Sequence, residues 1–203
     1  MKLAGIILAA GMGTRMGTDL CRAKQLLPLG GRAVLAHVVE NALAAGLDPI
    51  ILVLGHQAQE IMAAMDVSQV RVVVNPLYRT GMAGSVRAGL GAVPSFCDGA
   101  MFLLGDQPLV DKAVLLKLIK AFTGSNIVIP AFEGRQGNPV IFGAGFFSQL
   151  QQLKGDRGGR VLFDAYPDHI RQVPVETDSV CFDLDTPEDY ERLGQQGESV
   201  DGN

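Results

Sequence analysis

A short Ile/Leu-rich run, residues 3–8, empties directly into Ala9-Ala10-Gly11-Met12-Gly13-Thr14-Arg15-Met16-Gly17. An apolar run this short reads as a strand buried on both faces, which commits the chain to a sheet covered by helices on each side. The segment that follows points to its chemistry. Glycines let the backbone approach an anion closely and visit positive φ, and the N–H groups of such a loop wrap phosphate oxygens. Arg15 adds a planar fork of donors suited to the same oxygens.

The spacing separates this loop from two better-known phosphate loops. Counted from Gly11 and Gly13, the third glycine of a dinucleotide-binding G-x-G-x-x-G would fall on Met16. The second strand also ends Val53-Leu54-Gly55-His56, with no carboxylate for a ribose, so a nicotinamide-dependent oxidoreductase fits least well. A P-loop needs Gly-Lys-Ser/Thr, and Met16-Gly17-Thr18 lacks the lysine. On glycines alone, a plain strand-to-helix turn explains the run equally well. Against that stands the length of the connection. The next helical pattern begins near Ala33, so the link runs from Ala9 to Gly31 and holds Arg15, Arg22 and Lys24. A loop that long and that basic reads as functional.

Strand-like runs occupy residues 3–8, 50–54, 70–74, 101–104, 127–129 and 140–142, and helical patterns fill 33–45, 58–65, 84–92, 112–122 and 146–153. Gly46 is placed to cap the first helix and Asp111 to start the fourth. Repeated β-α-β units predict an α/β fold: one Rossmann-like domain, residues 1–193, with a mostly parallel sheet flanked by helices. Residues 194–203 are polar and glycine-rich and read as a frayed tail. With 203 residues, 48% of them hydrophobic, the chain is long and apolar enough for one sizeable core.

The net charge of −4 excludes a sequence-independent grip on nucleic acid. No apolar run reaches membrane-spanning length, and Met1-Lys2 leads straight into a strand, so a cytoplasmic protein is expected. Cys21, Cys97 and Cys181 are odd in number and widely separated, and read as ordinary thiols. His37, His56 and His169 lack metal-ligand spacing. Of these, only His56, at a strand end, is placed to face a ligand.

In open α/β sheets ligands bind outside the carboxyl ends of the strands, and the unusual residues collect there. Asp106 follows the apolar run Met101-Phe102-Leu103-Leu104, and Pro108 stops that strand. A carboxylate pinned at a strand mouth beside a phosphate loop suits Mg²⁺, which takes one or two carboxylates plus phosphate oxygens; the plain alternative is an aspartate satisfying turn amides. In Asp183-Leu184-Asp185-Thr186-Pro187-Glu188-Asp189 the two leading aspartates share one side of an extended chain while Phe182 and Leu184 face the core. Thr186 to Asp189 is explained by a helix start; Asp183 and Asp185 are not, and a cation would relieve their repulsion. Gly81-Met82-Ala83-Gly84-Ser85 begins a helix and exposes free N–H groups to a phosphate or base, or else Ser85 is a simple N-cap. Gly134-Arg135-Gln136-Gly137-Asn138-Pro139 is a turn whose Asn138 can meet a second substrate.

These motifs resemble a known family. Leu8-Ala9-Ala10-Gly11-x-Gly13-x-Arg15-Met16-Gly17 followed by Lys24-Gln25-Leu26-Leu27-Pro28 resembles the signature of the GT-A-like nucleotidyltransferases. Asn75-Pro76, Gly81-Met82-x-x-Ser85, Leu104-Gly105-Asp106-Gln107-Pro108, Gly137-Asn138-Pro139-Val140 and the late acidic motif narrow the likeness to the molybdenum cofactor cytidylyltransferase group of the molybdopterin nucleotidyltransferase-like proteins. The likeness covers nearly the whole chain.

The resemblance implies a GT-A-like nucleotidyltransferase fold and transfer of a nucleoside monophosphate from an NTP to a phosphorylated small-molecule acceptor, with release of pyrophosphate. It implies that Leu8, Ala9, Ala10, Gly11, Gly13, Arg15, Lys24, Asn75, Gly81, Ser85 and Asp106 bind the nucleotide. Arg15, Lys24 and Asp106 are the catalytic residues it implies, Gln107 and Asn138 the acceptor-binding ones. Mg²⁺, or Mn²⁺, would be held by Asp106, Asp185 and Asp183. Ala9-Ala10, where guanine-using relatives have Leu-Ala-Gly-Gly, is similar to the cytidine-using branch and implies CTP. Relatives often have proline before the lysine, whereas this chain has Ala23. Two alternatives stay open: transfer to a sugar or polyol phosphate, and a non-catalytic accessory protein that delivers nucleotide or cofactor to a molybdenum hydroxylase.

Overall fold

The computed structural model describes residues 1–13 and 23–197. In chain order the strands are β1 (Leu3–Ala9), β2 (Pro28–Leu29), β3 (Arg32–Ala33), β4 (Ile50–Leu54), β5 (Arg71–Val74), β6 (Gly99–Leu104), β7 (Ile127–Phe132), β8 (Arg135–Gln136), β9 (Val140–Gly143) and β10 (Ile170–Pro174). The helices are α1 (Val34–Ala44), α2 (Ala58–Ala64), α3 (Met82–Leu90), α4 (Lys112–Ala121), α5 (Phe147–Gln151) and α6 (Pro187–Gly197). Eight strands form one sheet in the order β10-β7-β9-β6-β1-β4-β5, with β8 paired to β7, and β2-β3 is a separate hairpin. Parallel pairing joins β5 to β4, β4 to β1, β1 to β6 and β7 to β10. The exception on this path is β9, antiparallel to both β6 and β7. The architecture is the expected α/β fold with a mostly parallel sheet flanked by helices.

Period-two alternation explains why the central strands read as unbroken apolar runs. Leu3, Ile7 and Ala9 of β1 and Ile50, Leu52 and Leu54 of β4 pack with α1, α2 and α4. Ala4 and Ile6, with Ile51 and Val53, pack on the other face with α3 and α5. The closest helix approach is at Gly89, where a Cβ would stand 2.6 Å from Ile6 Cγ2. A third, smaller cluster joins Leu27, Leu29 and Val34 to Leu184 and Leu193, and so ties the hairpin to the segment entering α6.

Several elements differ from the sequence reading. The strand-like run at 70–74 is largely apolar, yet β5 is the sheet edge and Val74 is 49% exposed. Helix 146–153 is a 3₁₀ turn (Ala144–Phe146) followed by the short α5. The strand-like runs omitted β10, an edge strand whose Ile-Arg-Gln-Val-Pro buries only Val173. Helix α6 runs through Gly197, into the segment read as a frayed tail. The caps fall as read: the Asp111 side chain accepts from the Val114 N–H at 2.8 Å, and Gly46, φ +79°, ends α1.

Candidate active site

The chain leaves β1 through α1 to β4 on one side and returns to β6 on the other, so the carboxyl ends of β1 and β6 flank the point where strand order reverses. A cleft of about 590 Å³ opens there. Among the described residues its walls include Leu8, Ala10 and Gly11 from the end of β1, Leu104 and Asp106 from β6, Lys24, Asp183 and Asp185, and Gly81 and Ser85.

Asp106 is fixed by the turn that ends β6. The Gly105 N–H donates to Leu8 O at 2.9 Å, and the Asp106 carbonyl accepts from the Leu184 N–H at 3.0 Å. That second bond ties the late acidic segment to the strand mouth. Leu184 is fully buried, so the alternation of an extended chain turns both Asp183 and Asp185 to the cleft. Lys24 begins a 3₁₀ turn (Lys24–Leu26) and sends its side chain, 9% exposed, into the same corner. Its Nζ donates to Asp106 Oδ2 at 2.5 Å, to Asp185 Oδ1 at 3.0 Å and to the Leu184 carbonyl at 3.1 Å. All three ammonium donors therefore have an acceptor.

The electrostatics follow from this crowding. Burial works to lower the Lys24 pKa, but the charges and hydrogen bonds of Asp106 and Asp185 outweigh it and hold the ammonium above its ordinary 10.5. Asp183 moves the other way for a carboxylate. The protein packed on its inner side and the neighbouring charges of Asp106 and Asp185 raise it above 3.8, against the opposing hydrogen bond from Gln107 and the charge of Lys24.

The remaining site residues fall in different places. Ala9 is 2% exposed, one layer beneath the cleft. Gly13, φ +60°, lies along the Lys24 stem, and its missing Cβ would sit 3.6 Å from Lys24 Cδ. Arg15 lies outside the described residues. Asn75 is 5% exposed and turned inward: its amide donates to Ser85 Oγ at 3.1 Å and accepts from the Leu77 N–H at 3.0 Å. Gln107 is also inside, 3% exposed, and donates to Asp183 Oδ1 at 2.8 Å. It stands behind the cleft wall rather than on the surface an acceptor would touch. Asn138 instead lines an adjoining cavity of about 250 Å³ with Phe102, Val140, Phe142 and Leu150, which shares Leu8, Met82, Leu104 and Asp156 with the cleft. His56 contacts the Tyr78 hydroxyl at 3.4 Å, and Tyr78 itself lines the cleft.

The start of α3 corrects the reading of its free N–H groups. Gly81, φ +104°, is the N-cap and Ser85 lies inside the helix. Asp156 Oδ1 accepts from the Met82 N–H and the Gly155 carbonyl from the Ala83 N–H, each at 3.1 Å. Protein groups thus occupy the positions offered to a phosphate. Sequence reasoning missed Asp156 because it meets α3 from 74 residues away, and no local pattern joins the two.

A divalent ion suits this donor set. Asp106 and Asp185 converge on one cationic position, and Mg²⁺ needs only one or two carboxylates when phosphate oxygens complete its shell. Among the described residues no group of three or more His, Cys, Asp or Glu side chains is arranged to hold a metal unaided. Water and phosphate oxygens would complete the shell of a metal held by these two carboxylates.

Known proteins share this fold. A structure of Rv0371c from Mycobacterium tuberculosis H37Rv superposes with a TM-score of 0.86 at 34% identity, covering 96% of this chain and 98% of that one. The manganese complex of Rv0371c superposes with a TM-score of 0.82 at 33% identity. A nucleotidyl transferase from Methanothermobacter gives 0.86 at 26% identity over 98% and 99% of the two chains. The nicotine blue oxidoreductase of Paenarthrobacter nicotinovorans is 29% identical over 94% of this chain and 96% of its own. The chain also matches the bifunctional protein GlmU of Sorangium cellulosum at 37% identity, but spans only 33% of its length. The fold is that of the nucleotidyltransferases. The MobA-like NTP transferase domain model matches residues 5–170, from β1 to the start of β10, and the chain belongs to that family.

Proposed function

We propose that this protein transfers a nucleoside monophosphate, CMP from CTP, to a phosphorylated acceptor of the molybdopterin type and releases pyrophosphate. The observation that carries this reading is Lys24 held between Asp106 and Asp185 at the mouth of β1 and β6. The triphosphate would lie along Ala10 and Gly11, with Arg15 and Lys24 as its cationic partners. The acceptor would enter from the cavity beside Asn138. An acceptor phosphate oxygen attacks the α-phosphorus in line, the bond to the bridging oxygen breaks, and pyrophosphate carries the electron pair away. Lys24 neutralises charge growing on the α-phosphate and leaving group, and Gln107 orients Asp183 from behind. A divalent ion at Asp106 and Asp185, when bound, supplies charge neutralisation to the phosphate oxygens. The manganese complex of Rv0371c supports a divalent ion here.

Pyrophosphate release from each NTP, with Mg²⁺ and a molybdopterin-type acceptor, tests this. CTP should be used best, and Asp106→Asn should lower the rate by roughly a hundredfold or more without changing the melting temperature greatly. Wild-type turnover in Asp106→Asn would refute the assignment.

A second reading comes from one relative: the nicotine blue oxidoreductase aligns with this chain over 96% of its own length. An oxidoreductase acting on an apolar organic compound fits the cavity formed by Phe102, Val140, Phe142 and Leu150. Against it, Gly55-His56 follows β4 where a dinucleotide site needs a carboxylate. Oxidation of a reduced nicotinamide without pyrophosphate release would select it. Nucleotide binding with neither activity would select the accessory protein that delivers its ligand to a molybdenum hydroxylase.

A further inference from the structure

We propose that Lys24 is a built-in counter-ion that keeps the divalent-ion position closed until a triphosphate draws its ammonium away, so that metal and nucleotide are loaded together. The inference rests on the transferase reading for the identity of the nucleotide, but its core concerns only Lys24 and two carboxylates.

The geometry is that of a filled site. Lys24 Nζ stands 2.5 Å from Asp106 Oδ2 and 3.0 Å from Asp185 Oδ1, oxygens contributed by two separate chain segments. The Leu184 carbonyl takes the third proton at 3.1 Å. A lysine this enclosed, its side chain 9% exposed, is not a loosely paired surface cation. Mg²⁺ or Mn²⁺ would need the same two oxygens, at about 2.1 Å. A doubly charged ion and an ammonium cannot share both oxygens without standing within a few ångströms of each other, where like charges repel strongly. The two cations therefore compete for these carboxylates.

The stem of Lys24 runs beside Gly13, two residues beyond Gly11 of the cleft wall, and a four-carbon side chain is flexible. A triphosphate lying against Ala10 and Gly11 would offer the ammonium new anionic partners on that side. Metal alone would have to break all three Lys24 contacts, whereas metal with nucleotide gives both cations oxygens.

The test uses Mn²⁺ alone, with no nucleotide, titrated into the full-length chain and followed by loss of the free-ion paramagnetic resonance signal. Lys24→Met and Lys24→Gln should bind Mn²⁺ about tenfold more tightly than wild type, within the usual range of coupling between two sites. Adding Asp106→Asn to either variant should abolish that gain. Folding of each variant is checked by its melting curve. In wild type the Lys24 side-chain amino resonance, identified by its loss in Lys24→Gln, should stay in place with Mg²⁺ alone and shift with Mg²⁺ and CTP. Unchanged or weaker Mn²⁺ binding in folded Lys24 variants, or a Lys24 resonance unmoved by Mg²⁺ and CTP, would overturn the proposal. The Mn²⁺ arm contains no nucleotide, so its failure is separate from failure of the transferase reading, which pyrophosphate release in wild type decides.

Discussion

Lys24 and Asp106 are 82 residues apart in the chain and 2.5 Å apart in the fold. Each was legible alone, Lys24 from a basic loop too long for a turn and Asp106 from a buried run stopped by Pro108. Their contact was not legible, because no spacing rule links a loop after the first strand to the mouth of a later one. The roles of Gln107 and Asn75 came from the family resemblance, and the fold turns both side chains inward. A polar residue at a strand end has two faces available, and only packing selects one. Asp183 carries a prediction at this scale. Its pKa is raised, so it favours the fold fully only below pH 3.8 and that contribution is lost as pH rises through the raised value. At neutral pH the ionised form weighs against the fold. Asp183→Asn keeps the acceptor for Gln107 and removes the charge. It should raise the melting temperature of the metal-free protein at pH 7 by about 2 °C, the modest size appropriate to a partly solvated carboxylate. Calorimetry should show the gain vanishing at about pH 3.

At the scale of elements, α3 shows how a helix end can be claimed by a distant segment. Asp156→Ala removes the acceptor of the Met82 N–H and should cost about 1 kcal/mol, as lost caps do, lowering the melting temperature by about 3 °C. Urea denaturation measures the change, and an unchanged midpoint would mean that water replaces the carboxylate without loss. Near the other end of α3, Gly89 allows the helix to approach β1 closely. Its Cβ position lies 2.6 Å from Ile6 Cγ2, so Gly89→Ala should cost about 1–3 kcal/mol through overpacking. Urea denaturation of that variant should show a lower midpoint at an unchanged slope. Central strands were legible because both faces are covered and nearly every residue is apolar. The edge strands β5 and β10 were misread or omitted for the complementary reason. An edge is half solvated, so Arg71–Val74 is less buried than its composition suggests, and Ile170–Pro174 carries too few apolar residues to announce a strand.

For the whole molecule, alternating strands and helices predicted the parallel sheet, and a parallel sheet predicted a ligand site at the carboxyl ends of its strands. The reversal at β9 was not legible, since a four-residue apolar run carries no direction. That reversal places Asn138 and Val140 on the wall of the cavity adjoining the cleft, and so bears on how an acceptor would approach. The account converges on one corner, where β1, β6, Lys24 and the segment entering α6 meet. The most direct measurement is anomalous scattering from crystals grown with Mn²⁺ and CTP. The account predicts a manganese peak within coordination distance of both Asp106 and Asp185, triphosphate along Ala10 and Gly11, and Lys24 Nζ turned from the carboxylates to the phosphates. A peak elsewhere, or nucleotide bound with Lys24 still bridging Asp106 and Asp185, would contradict it.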